Sequence, residues 1–170
     1  KCIIPVDIGG MPARVDEIMR IAEDCRSFFT PKVNLRSANT NPQLRLGRPL
    51  VLSDAAHSFG ARVGGKSIGA QADITGFSFH AVKNLTTAEG GALAFHLPPP
   101  FEDDVLVLYA WFNTMGLHGQ SKDALAKTRP GAWKYDVVQP GYKCNMTDLQ
   151  AAIGLVELER YDTETLPRRK

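Results

Sequence analysis

The stretch ITGFSFHAVKNLTTAEGG, residues 74–91, decides how this chain folds. Its first six residues, 74–79, form an apolar run of strand length, and Lys83 follows in a short polar segment. The pair Gly90 and Gly91 then allows a bend before the next apolar run at residues 91–95. The pattern predicts a strand that leads directly into a polar turn carrying an amine.

A second strand is predicted at residues 50–53, written LVLS, and it ends at the acid Asp54. His57 lies three residues beyond that acid. Further strands are predicted at residues 2–8 and 91–95. Helical spacing of apolar residues predicts helices at residues 14–25, at 102–116, and after Thr147, which with Gln150 forms a capping box.

Short strands that alternate with helices predict an α/β fold with a mostly parallel sheet and helices on its faces. In such sheets ligands bind beyond the carboxyl ends of the strands. Asp54 and the segment 78–83 both fall at those ends. Residues 27–47 mix Pro, Asn, Ser and Arg without periodicity and are interpreted as a long loop or insertion. Residues 60–69 are interpreted as a glycine-rich turn.

Composition narrows the class of protein. The 170 residues are 44% hydrophobic and carry a net charge of +2, which favours a folded domain and gives no basic field for nucleic acid. No apolar run has the length that a bilayer requires. Three cysteines, Cys2, Cys25 and Cys144, indicate reduced thiols in the cytoplasm. The histidines lack the spacing of a metal site, and none is expected.

Lys83 is the residue on which the chemical argument depends. An amine nucleophile forms an imine with pyridoxal phosphate, whose ring then acts as an electron sink. The alternative for a single lysine is an ordinary solvated side chain, which is the commoner situation. The neighbouring groups favour the first interpretation.

Those neighbouring groups are a carboxylate, an imidazole and a hydroxyl. Asp54 can pair with a protonated pyridine nitrogen, His57 can stack on the ring, and Ser78 can donate to a phosphate oxygen. Each has a simpler alternative: Asp54 as a helix N-cap, His57 as a surface histidine, and Ser78 as an ordinary strand serine.

The combined pattern resembles the DegT/StrS family of nucleotide-sugar aminotransferases, which are pyridoxal-phosphate enzymes of fold type I. The matching motifs are SDAAH (53–57), GGK (64–66), FSFHAVKN (77–84), EGG (89–91) and GYKCNMTDLQAA (141–152). The resemblance extends over most of the chain except residues 27–47.

The resemblance implies a role for each matching residue. Lys83 would form the Schiff base and shuttle the proton, Asp54 would hold the pyridine nitrogen, and His57 would lie against the ring. Ser78 would bind the phosphate. The segment containing Lys143 would reach the phosphate from the partner subunit of a homodimer with shared active sites, although many members have Asn at that position.

The resemblance further implies a three-layer α/β/α large domain, incomplete here, since residues 1–170 would lack an N-terminal part and the C-terminal small domain. The expected reaction transfers an amino group, from glutamate, to a keto nucleotide sugar in cytoplasmic synthesis of polysaccharide or secondary metabolites. Trp133 and Tyr142 are candidates for sugar contacts. Two alternatives stay open: an inactive fragment or non-enzymatic module of this family, and another fold type I pyridoxal-phosphate enzyme.

Overall fold

The structure is a computed structural model that describes residues 1–32, 41–121, 130 and 134–165. Its strands are β1 (Cys2–Ile3), β2 (Leu50–Asp54), β3 (Arg62–Val63), β4 (Lys66–Ser67), β5 (Ile74–Ser78) and β6 (Gly91–Phe95). Its α-helices are α1 (Val15–Asp24), α2 (Pro42–Leu46), α3 (Val105–Gly116) and α4 (Asp148–Glu159).

Shorter helical turns connect these elements. In the described part of the chain, 3₁₀ turns lie at Ile8–Gly10, Arg26–Phe28, Ile68–Ala70 and Pro99–Asp104, and a π-helical turn at Tyr161–Thr165 follows α4. No helix within the described residues is both long enough and apolar enough to cross a membrane.

The main sheet has the strand order β1-β2-β5-β6. β1, β2 and β5 run parallel, and β6 returns antiparallel to β5. The predicted α/β fold with a mostly parallel sheet is therefore confirmed. Strands β3 and β4 form a separate antiparallel hairpin, so part of the predicted glycine-rich turn is a small β-hairpin.

One face of the sheet is covered by α1, because that helix places apolar residues on a single side. Val15 and Ala22 of α1 pack with Val51 and Ala72 in the buried core. Neighbouring residues in a strand point to opposite faces, so Asp54 lies on the other face from Val51. There Leu93 is 43% exposed.

The end of the sheet where β2 begins is fastened by a buried ion pair. Arg48, which is 1% exposed, donates from both terminal nitrogens to the two Asp73 carboxylate oxygens at 2.7 Å each. Asp73 also accepts the Val51 amide at 2.8 Å, and Glu23 accepts Arg48 Nε at 2.5 Å. This network joins α1 to the starts of β2 and β5.

The loop interpretation of residues 27–47 is wrong for Pro42–Leu46, which form α2. Asn41 caps this helix by accepting the Gln43 amide at 2.9 Å, and Pro42 begins it. Gly47 ends it in the left-handed conformation at φ 67°. Residues 33–40 of the same segment lie outside the described residues.

The predicted strand at residues 2–8 is too long, since only Cys2–Ile3 form a regular strand. Pro5 has no N–H to donate and interrupts the ladder. Pairing with β2 nevertheless resumes beyond it, where Asp54 N donates to Pro5 O at 2.9 Å and Asp7 N donates to Asp54 O at 3.0 Å.

The chain divides into two units, residues 1–100 with 148–170 and residues 101–147. The first contains the main sheet, and the second contains α3. α4, in the first unit, starts directly after Thr147, where the capping box predicts a helix start. Its predicted apolar face is exposed within this unit: Leu149 is 81% and Val156 58% exposed.

Candidate active site

Two of the predicted site residues lie at the carboxyl ends of neighbouring strands. Asp54 ends β2 and is in register with Gly76 of β5. Ser78 ends β5 two residues later, so its side chain points to the same face as Asp54. The Asp54 carboxylate is exposed and accepts the Ala56 amide at 3.1 Å through Oδ1. A carboxylate and a hydroxyl thus share one face of the sheet at the edge where ligands bind in α/β proteins.

Lys83 lies in the turn that follows β5. Its amide donates to His80 O at 2.9 Å, and Thr87 N donates back to Phe79 O at 2.9 Å, which closes the segment into a compact loop. The Lys83 side chain is half-buried. Lys83 therefore lies in a compact loop that begins directly after Ser78.

His57 lies in the segment that follows β2, and its side chain is exposed. Its carbonyl accepts Asn84 Nδ2 at 3.1 Å. A Cβ added to Gly10 would lie 2.9 Å from the same carbonyl, so only a glycine permits this approach at φ 87°. The segments of His57 and Lys83 are consequently linked through Asn84.

The buried carboxylate of Asp7 anchors the segment that contains His57. Ser58, fully buried, donates its hydroxyl to Asp7 Oδ2, and Asp7 Oδ1 accepts the Ala13 amide at 2.9 Å. Asp7 is itself 2% exposed. These bonds fix the residue next to His57 to the loop that precedes α1.

Lys143 belongs to the second unit, residues 101–147. It pairs in a bridge with Leu117 at the end of α3, and the neighbouring Cys144 amide donates to Gly116 O at 2.9 Å. The Lys143 ammonium donates to Asn145 Oδ1. Tyr142 in the same segment is 71% exposed, whereas Trp133 lies outside the described residues.

Two pKa values are shifted in the ion-pair network around Arg48, at the start of β2. The hydrogen bonds from Arg26 and Arg48 hold the pKa of Glu23 below its usual value. The hydrogen bond to Asp73 raises the pKa of Arg48. Strong charge pairing is thus concentrated at the opposite end of the sheet.

Sequence reasoning did not single out Asp7, Ser58, Asn84 or Tyr161, which hold the site segments in place. Asn84 is adjacent to Lys83 and lay within the quoted motif. Tyr161 Oη donates to Phe59 O across 102 residues of sequence, a separation that no local pattern reveals.

Comparison with known proteins agrees with this architecture. Residues 48–170 match the model of the DegT/DnrJ/EryC1/StrS aminotransferase family. The spore coat polysaccharide biosynthesis protein SpsC of Bacillus subtilis is 37% identical over 163 residues, covering 95% of this chain and 34% of SpsC. The chain spans about a third of the length of the curated relatives it matches.

Solved structures show the same similarity. A Streptococcus pneumoniae protein assigned as a sugar aminotransferase, in its PMP form, is 45% identical with a TM-score of 0.79, covering 96% of this chain and 39% of that one. Its PLP form gives 40% identity and a TM-score of 0.77, covering 96% and 37%. The chain therefore belongs to the DegT/DnrJ/EryC1/StrS aminotransferase family.

Proposed function

We propose that this chain carries the pyridoxal-phosphate site of an enzyme that transfers an amino group to a keto nucleotide sugar. The observation that carries the proposal is the placement of Asp54 and Ser78 on one face of adjacent strands, with Lys83 on the turn that follows. The PLP form of the Streptococcus pneumoniae relative supports the choice of cofactor.

The donor set fits this cofactor in chemical terms. Lys83 offers an amine to an aldehyde carbon, Asp54 an acceptor to a ring N–H, and Ser78 a hydroxyl to a phosphate oxygen. The Asp54 carboxylate is available for such a bond because, in the described part of the chain, its hydrogen bond comes from the nearby Ala56 amide. The exposed imidazole of His57 lies on the linked segment.

When bound, pyridoxal phosphate supplies an electron sink for the bond changes at the amino-bearing carbon. Lys83 would hold the cofactor through Nζ, and the free Nζ would accept and return the proton of the reacting carbon as a general base and acid. Asp54 would accept a charge-assisted hydrogen bond from the ring nitrogen and so favour its protonated form. His57 and Ser78 would orient the ring and the phosphate.

Glutamate is the proposed amino donor. The name of the relative SpsC favours polysaccharide synthesis as the setting of the reaction. The enzyme would act in the cytoplasm as a homodimer with shared sites. Lys143, held beside Asn145, would reach the phosphate from the partner subunit as a long cationic contact.

Reduction with borohydride tests the site. After incubation with pyridoxal phosphate, the reduced protein should carry the cofactor on the peptide containing Lys83, identified by mass spectrometry. Lys83→Ala should abolish the labelling and the absorbance of the bound cofactor. Lys66→Ala, which alters an exposed lysine of the β3–β4 hairpin, is the matched control and should change neither. Labelling of Lys83→Ala equal to the unmodified protein would refute the proposal.

Product analysis separates the alternatives. An aminotransferase must release one 2-oxoglutarate for each amino group taken from glutamate and passed to the keto sugar. Another fold type I enzyme would bind cofactor without that stoichiometry. An inactive piece is the alternative suggested by the fact that the chain spans about a third of its relatives' length. It would show neither labelling nor turnover.

A further inference from the structure

Three distant parts of the chain meet at one backbone oxygen beside the candidate site. The Phe59 carbonyl accepts Asn84 Nδ2 at 3.3 Å and Tyr161 Oη at 2.5 Å. Phe59 follows β2, Asn84 follows β5, and Tyr161 follows α4. A single carbonyl therefore ties the two site-bearing segments to the π-helical turn.

Tyr161 is built into this position and is not a surface residue. It is 4% exposed, and its ring meets Phe59 edge-on with centroids 5.2 Å apart. Phe59 in turn meets Phe77 of β5 edge-on at 5.3 Å. The ring lies so close to Gly60 that an added Cβ would be 2.5 Å from its Cε1. The local backbone is thus shaped to admit the tyrosine.

Asn84 carries the connection to the reactive residues. Its Nδ2 also donates to His57 O at 3.1 Å, and its own backbone directly follows Lys83. Movement of the His57–Phe59 segment would therefore shift His57 relative to Lys83. On its other side the segment is fastened by Ser58 to the buried Asp7.

We propose that Asn84 and Tyr161 are positioning residues, which hold His57 at a fixed place relative to Lys83 through the Phe59 carbonyl. The inference rests on the proposed function in assigning Lys83 and His57 to the cofactor. It extends that function by giving a residue about one hundred positions away in sequence, on the turn after α4, control over the geometry of the site.

The hydrogen bond and the aromatic packing make different predictions. Tyr161→Phe keeps the ring against Phe59 and Gly60 and removes only the hydroxyl. If packing alone mattered, this variant would behave as the unmodified protein does. If the hydroxyl positions the carbonyl, the segment becomes easier to open even though the ring is retained.

Native-state hydrogen exchange measures this without cofactor. The Ser58 amide donates to Ala55 O at 3.1 Å and the Ala61 amide to Ser58 O at 2.9 Å, so both report on the segment. Tyr161→Phe and Asn84→Ala should each speed their exchange by about threefold to tenfold, the range expected from loss of one hydrogen bond. Tyr109→Phe, at an exposed tyrosine of α3, is the matched control and should leave both rates unchanged.

The double variant should speed exchange by more than the product of the two single factors. Each single variant leaves the Phe59 carbonyl one of these two donors, whereas the double variant removes both. A strictly multiplicative result would contradict the shared-carbonyl account.

The reaction with glutamate supplies the readout that separates positioning from structural support. In single turnovers followed by the absorbance of the bound cofactor, Tyr161→Phe should lower the saturating rate about threefold to tenfold, because misplacement acts on the reacting geometry. The glutamate concentration at half-maximal rate should stay unchanged. A change in that concentration with no change in rate would contradict positioning.

The outcomes keep the two proposals apart. If the unmodified protein attaches no cofactor at Lys83, the proposed function fails, and the positioning of cofactor groups fails with it, whatever the exchange rates. If cofactor is attached but exchange and rate in Tyr161→Phe equal those of the unmodified protein, only the positioning inference is overturned.

Discussion

Two aspartates on neighbouring strands have opposite surroundings. Asp73 stands just before β5, is 0% exposed, and receives two hydrogen bonds from Arg48 and one from the Val51 amide. Asp54 is the last residue of β2, at the opposite end of the strands. It is exposed and accepts a hydrogen bond from the Ala56 amide. One carboxylate is committed to the fold, whereas the other is available to a ligand.

The difference follows from the direction of the strands. Where β2 and β5 begin, α1 packs against the sheet, and the buried charges of Arg48 and Asp73 must therefore be paired. At the carboxyl ends the chain leaves the sheet in loops, and the Asp54 carboxylate is left exposed. For these two aspartates, the position along the sheet thus separates the buried structural carboxylate from the exposed one.

The largest effect on stability is expected at the buried pair. Arg48→Ala should lower the free energy of unfolding by about 3–5 kcal/mol, because it leaves the Asp73 carboxylate buried without its cation. Urea denaturation followed by circular dichroism measures the loss. Arg14→Ala, which breaks the exposed pair with Glu17, is the control and should cost at most about 1 kcal/mol. A loss at Arg48 no larger than at Arg14 would remove the basis of the comparison.

A smaller change in the free energy of unfolding, of opposite sign, is expected within β2 and β5, between the two ends of these strands. Ser53 and Thr75 are buried in register on β2 and β5, and their hydroxyls have no hydrogen-bond partner among the described residues. Thr75→Val keeps the shape and removes the unpaired hydroxyl, so the free energy of unfolding should rise by about 1 kcal/mol. A clear decrease in urea midpoint would show that the hydroxyl is in fact satisfied.

The Arg48 network should also show in the pH dependence of stability. The pKa of Glu23 is lowered from its ordinary value of 4.5, chiefly by the hydrogen bond from Arg26. Its contribution is therefore complete above pH 4.5 and is lost as the pH falls below it towards the folded-state pKa. Because the carboxylate is 42% exposed, solvent screening limits the effect to about a few tenths of a kcal/mol. Glu23→Gln should flatten the curve in this window, and an unchanged slope would contradict the assignment.

At Asp54 little effect on stability is expected. Asp54→Asn keeps an oxygen for the Ala56 amide, so the free energy of unfolding should change by no more than about 0.5 kcal/mol. Pyridoxal phosphate titration of the same variant should show weaker binding, since the amide cannot replace a carboxylate opposite a ring N–H. A large loss of stability would place Asp54 with Asp73 among the structural carboxylates.

Local patterns predicted most of the elements well. β6 begins and ends where its apolar run does, and α1 and α3 were found from helical spacing. The wrong element bounds lie where single residues outweighed the local pattern. Pro5 shortens the first strand. Asn41 and Gly47 begin and end a helix within residues 27–47, a segment without helical periodicity.

The sequence alone determined the candidate chemistry, because Asp54, Ser78 and Lys83 follow directly from strand ends, and strand ends are visible as breaks in apolar runs. It also identified the family through those motifs. Tertiary structure decided which polar residues hold the site and which hold the fold. Arg48 contacts Asp73, and Tyr161 contacts Phe59, across long separations in sequence. Such contacts depend on how the strands and helices pack, and they leave no local periodicity in the sequence.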